Sequence, residues 1–351
     1  MTVRVGLVGF GLGGAVFHAP LIEATPDLSL VAVVTADAER VTRAQERYPS
    51  ARVIPDVESL LSSPDELDLV VVTTPNRFHV PIALSAIGAG LHVVIDKPVA
   101  PSAADARRLA ETAADRGVLL TVFQNRRLDG DFLTVRRLIA EGALGRVTRF
   151  ESRFERWNPD RQGDAWRERG APEDAGGVLL DLGGHLVDQA VQLFGPPTDV
   201  YAEVDARRPG AEVDDDAFIA LTHAEGIRSH LWMSLVAGAF GPRFRVLGLA
   251  GAFEKHGIDP QEGQLAAGML PGNAEYGLEP RERWGAVVRG SDAEPVATER
   301  GDYPRFYADL AEAIQGGTPP PVSPQEAVLT MEVLEAARRS GASGTVVKLG
   351  S

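Results

Sequence analysis

The stretch VRVGLVGFGLGGAVFHAPLI, residues 3–22, determines how the rest of the sequence is interpreted. Its apolar run VRVGLV predicts a buried strand, and the pattern after residue 13 predicts a helix. Between them lies a glycine-rich turn made of Gly9, Phe10, Gly11, Leu12, Gly13 and Gly14. In such a turn one glycine permits the tight bend, one lets a pyrophosphate approach, and one lets the helix pack on the strand. The stretch predicts a dinucleotide-binding turn, and a tight turn without a ligand is the alternative.

Four more apolar runs without polar alternation follow: LSLVAVV (28–34), LDLVVVTT (67–74), LHVVID (91–96) and VLLTVF (118–123). Helical patterns separate them. Buried strands that alternate with helices are typical of a doubly wound parallel sheet. We therefore predict fold class α/β, with a Rossmann dinucleotide-binding domain over residues 1–123.

The alternation ends after Phe123. Strands are predicted near 146–156, 198–206, 216–223, 229–236 and 243–249, and the last four follow one another without helices. Helices are predicted near 131–141, 179–194, 303–315 and 324–339, whereas 257–300 is predicted as long loops. This pattern predicts an α+β domain over residues 124–351, built on one open sheet.

The composition excludes some classes of function. The 351 residues include 35 Lys and Arg against 49 Asp and Glu, so the net charge of −14 argues against a nucleic-acid partner. Cysteine is absent, which excludes disulfides, thiolate catalysis and Cys-ligated metals. No run reaches the ~18 apolar residues of a membrane span, and MTVRVGLVGF does not resemble an export signal. We therefore expect a cytoplasmic protein without a membrane partner.

The end of the second predicted strand bears on the choice between NAD and NADP. An acidic residue there binds the ribose 2′-hydroxyl of NAD, and its absence leaves room for the 2′-phosphate of NADP. Thr35 occupies this position, Asp37 follows two residues later, and Arg40 and Arg43 come next. Thr35 and the arginines therefore favour NADP, whereas Asp37 would repel a phosphate.

Polar residues also follow two later strands of the predicted parallel sheet. Thr74, Pro75 and Asn76 end one run, and Asp96 and Lys97 end the next. Ligands bind outside the carboxyl ends of such strands, so these five residues are candidate cofactor contacts. His79 is either a further contact or a residue that packs at the start of the next helix. Lys97 is either a surface charge or a proton donor and acceptor beside the nicotinamide.

The predicted helix 179–194 carries Asp181, His185 and Asp188 on one face, because residues three and four apart are neighbours on a helix. This polar stripe is a solvated surface, a metal site or a catalytic pair. A metal would require ligands from a second element, so we predict no metal. Glycines on both sides of Asp181 indicate that the backbone closely approaches another group.

Candidate substrate contacts lie on both sides of this helix in the sequence. Asn125 and Arg127 follow the last strand of the predicted Rossmann domain, and Trp166 and Arg167 precede the helix. An aromatic face with fixed hydrogen-bond donors suits a polyhydroxylated ring, although Trp166 is equally interpretable as a core residue. His18, in FHAP, is interpreted as structural. Tyr303 and Tyr307 are further candidates from a late helix.

Four motifs resemble those of the Gfo/Idh/MocA family of oxidoreductases: GFGLGGAVFHAPLI, TTPNRFHV, AGLHVVIDKP and GGVLLDLGGHLVDQAVQLFG. The resemblance is closest to the NADP-dependent scyllo-inositol dehydrogenase branch. It implies a Rossmann domain followed by an α+β domain with an open, mainly antiparallel sheet, and assembly into homodimers or homotetramers. It further implies hydride transfer between a cyclic polyol or sugar and NADP or NAD.

The resemblance also implies roles for three residues. His185 takes the alcohol proton, Asp181 orients His185 or binds substrate, and Lys97 holds the substrate oxygen. Asp188 is then structural. The chain departs from the family pattern at Asp96, where Glu is usual, and at Asp37, where the branch tends to have a basic residue. A dinucleotide-binding sensor on the same fold, without catalysis, is the alternative function, and a tightly bound cofactor that cycles between two sugars is a third.

Overall fold

The structure is a computed structural model that describes residues 2–160, 168 and 170–350. The chain divides into two compact units. The first consists of Met1–Asn125, Gln261–Tyr276 and Asp302–Val328, and the second of Arg126–Pro260, Gly277–Gly301 and Leu329–Ser351. The sequence predicted a division at 123 and assigned everything after it to the second domain. Two later segments instead belong to the first unit. In the second of them, for example, the Phe306 ring packs on Phe123 with centroids 4.9 Å apart, and the Val322 carbonyl oxygen accepts the Thr121 hydroxyl proton over 2.8 Å.

Strands and helices alternate up to Phe123, as predicted. In chain order they are β1 (Val3–Val8), a π-helical segment (Gly13–His18), α1 (Ala19–Glu23), β2 (Leu28–Val34), α2 (Ala38–Arg47), β3 (Arg52–Ile54), α3 (Val57–Leu61), β4 (Leu69–Val72), α4 (His79–Gly88), β5 (His92–Asp96), α5 (Ala103–Arg116) and β6 (Leu120–Phe123). The short strand β3 was not predicted, because its three residues carry no continuous apolar run.

The remaining elements are α6 (Gly130–Ala140), β7 (Val147–Glu155), α7 (Val178–Asp181), α8 (Gly183–Phe194), β8 (Asp199–Asp205), β9 (Asp216–Thr222), β10 (Arg228–Ser234), β11 (Phe244–Gly248), β12 (Gly251–Lys255), α9 (Gln261–Ala266), β13 (Gly285–Arg289), β14 (Asp292–Val296), α10 (Pro304–Ile314), α11 (Pro324–Ser343) and β15 (Val347–Lys348). The prediction of loops over 257–300 is wrong for α9, β13 and β14. The sequence signal there is weak, because β14 is an exposed strand that contains a proline.

The first unit is a doubly wound sheet of six parallel strands in the order β3-β2-β1-β4-β5-β6. Its central strands are buried on both faces, and Val5, Leu7 and Val70 have no exposed surface. The strand order reverses between β1 and β4, which is where such sheets bind ligands. The glycine turn directly follows β1 at this point, so the Rossmann prediction is confirmed.

The second unit contains a nine-stranded sheet in the order β14-β13-β12-β11-β7-β10-β9-β8-β15. All its pairs are antiparallel except β7 with β10, which is parallel. This confirms the open, mainly antiparallel sheet. Helix α8 packs on one face through fully buried Leu186, Val187 and Ala190. Among the described residues, no helix is long and apolar enough to cross a bilayer.

Candidate functional site

The glycine turn holds backbone groups too close together for side chains. Gly9 has φ +99°, in the region that favours glycine. A Cβ atom on Gly14 would lie 2.2 Å from the Gly9 carbonyl oxygen. The Phe10 ring is fully buried, so only its backbone remains to face a ligand, and Leu12 is exposed. The turn is therefore a backbone cradle, as a pyrophosphate site requires.

Two arginines of α2 lie beside this turn. Arg43 donates to the Phe10 carbonyl oxygen at 3.1 Å, and a Cβ on Gly11 would lie 3.9 Å from Arg40 Nη1. Thr35, at the end of β2, is largely buried. Asp37 caps α2 by accepting the Arg40 backbone N–H over 3.0 Å. Asp37 carries the negative charge that argued against NADP, and the same helix places two positively charged guanidinium groups beside the turn.

The ends of β4 and β5 are joined by His79. Its Nδ1 lies 2.9 Å from the Pro98 carbonyl oxygen and its Nε2 lies 2.8 Å from that of Thr74. Burial lowers the pKa of His79, so the neutral ring donates to only one of them. Because the backbone contacts both nitrogens, the structure favours the packing role of His79; its contact with a cofactor stays a prediction.

Five other predicted residues lie at the same strand ends. Asn76 is buried, and Pro75 is partly exposed. Thr74 Oγ1 is buried and has no hydrogen-bond partner among the described residues. Asp96 Oδ1 accepts the Lys97 backbone N–H over 2.8 Å, and Lys97 is partly exposed. This edge thus combines one buried hydroxyl, one buried amide, a carboxylate and an ammonium group.

In the second unit, the predicted helix 179–194 is two helices, α7 and α8, which meet at Leu182. Asp181 ends α7, and His185 lies in the first turn of α8. The glycines around Asp181 have a packing cause. A Cβ on Gly177 would lie 2.2 Å from Asp214 Oδ1, and one on Gly183 would lie 2.9 Å from Met233 Sδ. The close approach inferred from these glycines is therefore made to side chains of the protein itself.

The polar stripe is not a solvated surface. His185 is 6% exposed and Asp188 is 3% exposed, while Asp181 is partly exposed. The His185 ring packs edge-on against Phe154, with centroids 6.1 Å apart. No cluster of three His, Asp or Glu residues among the described residues is arranged to hold a metal ion. A catalytic role for Asp181 and His185 stays a prediction.

Helix α8 is anchored by buried polar contacts just beyond His185. Arg127 donates to both carboxylate oxygens of Asp188, over 2.8 Å from Nε and 2.6 Å from Nη2. Gln189 donates to the Arg126 carbonyl oxygen over 2.8 Å and accepts from Arg243 over 2.9 Å. Asp188 is thus structural, as predicted. Because the Arg127 guanidinium pairs with Asp188, its contact with substrate stays a prediction.

Three predicted substrate contacts remain: Asn125, Trp166 and Arg167. Asn125, at the end of the first unit's first segment, is 6% exposed. Trp166 and Arg167 lie outside the described residues.

The structure also places two residues beside α8 that the sequence did not single out, Phe154 and Arg243. The Arg243 guanidinium lies 4.0 Å from the centre of the Phe154 ring. Neither has a local sequence signal, because their partners are distant in the chain.

Two models of one oxidoreductase family match the chain. One describes a NAD-binding Rossmann fold and matches residues 3–124; the other describes a C-terminal alpha/beta domain and matches residues 136–349. The two matches cover both sheets described above.

Individual proteins are similar as well. The scyllo-inositol 2-dehydrogenase (NADP(+)) of Bacillus subtilis is 36% identical, covering 99% of this chain and 96% of that protein. D-glucoside 3-dehydrogenase of Escherichia coli is 30% identical over 56% of this chain and 55% of that protein. The structure of the Bacillus subtilis protein yvaA superposes with a TM-score of 0.93, at 35% identity, and covers 99% of each chain.

Proposed function

Since the chain belongs to the Gfo/Idh/MocA family of oxidoreductases, we propose that it is an NAD(P)-dependent dehydrogenase acting on a ring hydroxyl of a cyclic polyol or sugar. The observation that carries the substrate class is the full-length similarity to a scyllo-inositol 2-dehydrogenase. The similarity to a D-glucoside dehydrogenase extends the class to sugars. Both relatives are named as dehydrogenases of substrates of this kind.

The residues at the carboxyl edge of the first sheet fit a dinucleotide. The tight glycine turn, in which Gly14 approaches the Gly9 carbonyl oxygen too closely for a side chain, would leave its backbone N–H groups open to a pyrophosphate, and the buried Thr74 hydroxyl would supply a hydrogen-bonding group to the nicotinamide half. When bound, the nicotinamide accepts or donates the hydride. The backbone of the glycine turn would hold the pyrophosphate, through Gly9, Gly11, Gly13 and Gly14. Asn76 and Asp96 would orient the remainder of the dinucleotide.

The protein's own residues would handle the proton. In the oxidation, the carbinol C–H bond breaks as hydride leaves, and the O–H proton passes to His185, leaving a ketone. Imidazole suits this step because its ordinary pKa is near neutral. Lys97 would hydrogen-bond the substrate oxygen, and Asp181 would orient His185. The burial of His185 supports this assignment, since a base shielded from water keeps the proton within the site.

The same proposal includes a preference for NADP. Arg40 and Arg43 lie beside the glycine turn and would bind the 2′-phosphate. Asp37 is engaged as the cap of α2, and Arg40 Nε lies 4.0 Å from its carboxylate, which reduces its repulsion of a phosphate. The NADP dependence in the name of the similar Bacillus subtilis enzyme supports this preference.

The test is reduction of NADP⁺ and of NAD⁺, followed at 340 nm, with a panel of inositols, aldoses and aldonic acids. The variants are His185→Asn and Lys97→Met, with His230→Asn as the matched histidine control. His230 and Met233 are three residues apart on β10, so their side chains point to opposite faces of the sheet. Met233 faces α8, where it lies against Gly183, and His230 therefore points away from α8. We expect His185→Asn to lower kcat by about 10²–10⁴-fold, with little change for His230→Asn.

Lys97→Arg is measured beside Lys97→Met, because arginine keeps the positive charge that methionine removes. The two variants together separate the effect of charge from that of proton transfer. If the wild type reduces either cofactor with a polyol or sugar and His185→Asn retains full kcat, the assignment of His185 is wrong. If the wild type binds a dinucleotide but oxidises no member of the panel, the dehydrogenase proposal is replaced by the sensor alternative.

A further inference from the structure

Three side chains from distant parts of the sequence meet in the first unit. His18 lies in the π-helical segment after the glycine turn, Asp96 ends β5, and Tyr307 lies in α10. His18 and Tyr307 have no exposed surface. The Tyr307 hydroxyl is 2.6 Å from His18 Nδ1, and His18 Nε2 is 3.8 Å from Asp96 Oδ2. The His18 ring also packs on Phe123, with centroids 4.2 Å apart.

The Asp96 carboxylate lies between two parts of the proposed cofactor site. Its Oδ1 accepts the backbone N–H of Lys97, the residue proposed to bind the substrate oxygen. Its Oδ2 is so close to the glycine turn that a Cβ on Gly13 would lie 2.9 Å from it. A shift of this carboxylate would therefore disturb both the turn and the Lys97 backbone.

The charges around Asp96 keep it ionised. Burial by itself raises the pKa of Asp96, but the neighbouring His18, Lys97 and His79 outweigh burial and leave the pKa lowered. Burial raises the pKa of Tyr307 well above its ordinary value, and the charge of Asp96 adds to this effect. Tyr307 therefore keeps its hydroxyl proton, which it can donate to His18 Nδ1. When Tyr307 donates to Nδ1, the ring carries its proton on Nε2, the buried nitrogen that lies 3.8 Å from Asp96 Oδ2 and has no hydrogen-bond partner among the described residues.

We propose that Tyr307 and His18 are positioning residues that hold the Asp96 carboxylate between the glycine turn and Lys97, so that dinucleotide binding depends on the Tyr307 hydroxyl. The inference rests on the proposed function in taking the glycine turn as the dinucleotide site. In this arrangement Tyr307 acts through His18: its hydroxyl contacts Nδ1 and fixes the tautomer of the ring, and His18 acts on Asp96.

The test compares Tyr307→Phe with Tyr48→Phe, each of which deletes one hydroxyl from a buried tyrosine of the first unit. Tyr48 is a close match because its ring packs on Phe10 of the glycine turn, yet its hydroxyl has no hydrogen-bond partner among the described residues. The measurement is the Kd of NADPH, by its fluorescence, for each variant of the full chain. We expect about a three- to tenfold higher Kd for Tyr307→Phe and no change for Tyr48→Phe.

A double-mutant cycle separates positioning from a general loss of stability. If Tyr307 acts through the carboxylate, Tyr307→Phe should have little further effect on Kd in an Asp96→Asn background. Histidine-ring ¹⁵N NMR of wild type and Tyr307→Phe should show His18 losing its Nε2–H tautomer preference. Equal Kd values for the two Phe variants, or fully additive effects with Asp96→Asn, would overturn the inference. Failure of the wild type to bind NADPH or NADH would instead show that the dinucleotide site itself is wrong.

Discussion

At the residue scale, Arg40 is the side chain that bears most directly on cofactor choice. It is half-exposed, lies beside Gly11, and has its own backbone N–H capped by Asp37. Arg43, by contrast, is held by the Phe10 carbonyl oxygen. Arg40 is therefore the guanidinium of the two that is more available to an added phosphate, and the sequence alone could not separate their roles.

We expect Arg40→Ala to lower the ratio of kcat/KM for NADP⁺ over that for NAD⁺ by about tenfold or more, because a charge-assisted contact to the 2′-phosphate is lost. Turnover with each cofactor in separate assays gives the ratio. Arg116→Ala, at the exposed end of α5, is the control and should leave the ratio unchanged. An unchanged ratio in Arg40→Ala would exclude this residue from 2′-phosphate recognition.

At the element scale, the start of α7 depends on Asp214. This carboxylate accepts the Leu179 backbone N–H over 2.7 Å, and the Val178 N–H is donated to the Asp214 carbonyl oxygen over 3.0 Å. Gly177, with φ +93°, leaves the space that the Asp214 side chain occupies. The start of α7 is therefore fixed by a residue 35 positions later in the chain, which no local pattern reveals.

We predict that Gly177→Ala destabilises the protein by about 2–4 kcal/mol, because the new Cβ meets Asp214 and the positive φ disfavours alanine. Gly184→Ala is the matched control, since its Cβ has no neighbour closer than 3.9 Å and alanine favours a helix. Urea denaturation followed by circular dichroism measures both. A Gly177→Ala variant as stable as Gly184→Ala would contradict the packing cause assigned to this glycine.

The same scale shows what the sequence could and could not predict. The glycine turn, the buried strands β1, β2 and β4, and helix α8 carry continuous local signals, and each was predicted within a few residues. Edge strand β14, with Pro295, and the break at Leu182 were missed, since both depend on partners elsewhere. For the candidate site, the sequence predicted which residue types lie there and at which strand ends. It did not predict the pairing of Arg127 with Asp188.

At the scale of the whole molecule, burial couples stability to pH. Burial lowers the pKa of His79, His92, His223 and His230. The unfolded chain therefore binds more protons than the folded chain below the ordinary histidine pKa, and the free energy of unfolding falls as the pH falls from about 7. Asp129 has the opposite effect on stability. Burial raises its pKa, so its contribution to the free energy of unfolding is lost as the pH rises.

His223→Gln isolates one histidine from these opposing contributions. His223 is buried and contacts the Gly195 carbonyl oxygen and the Ser229 hydroxyl. Between pH 7 and 5.5 we expect the unfolding free energy of the variant to fall less steeply than that of the wild type, by up to about 1.4 kcal/mol per pH unit. Urea titrations at several pH values give both slopes. Equal slopes would mean that His223 takes up no extra proton on unfolding.

The return of 261–276 and 302–328 to the first unit has a consequence for synthesis. When β6 leaves the ribosome, the nascent nucleotide-binding half still lacks α10, the Tyr307 hydroxyl that meets His18, and the Val322 carbonyl oxygen that meets Thr121. Its interior is completed only after nearly all of the polypeptide has been translated. Until then the apolar surface that α10 covers in the first unit, such as the Phe123 ring packed edge-on against Phe306, stays unburied.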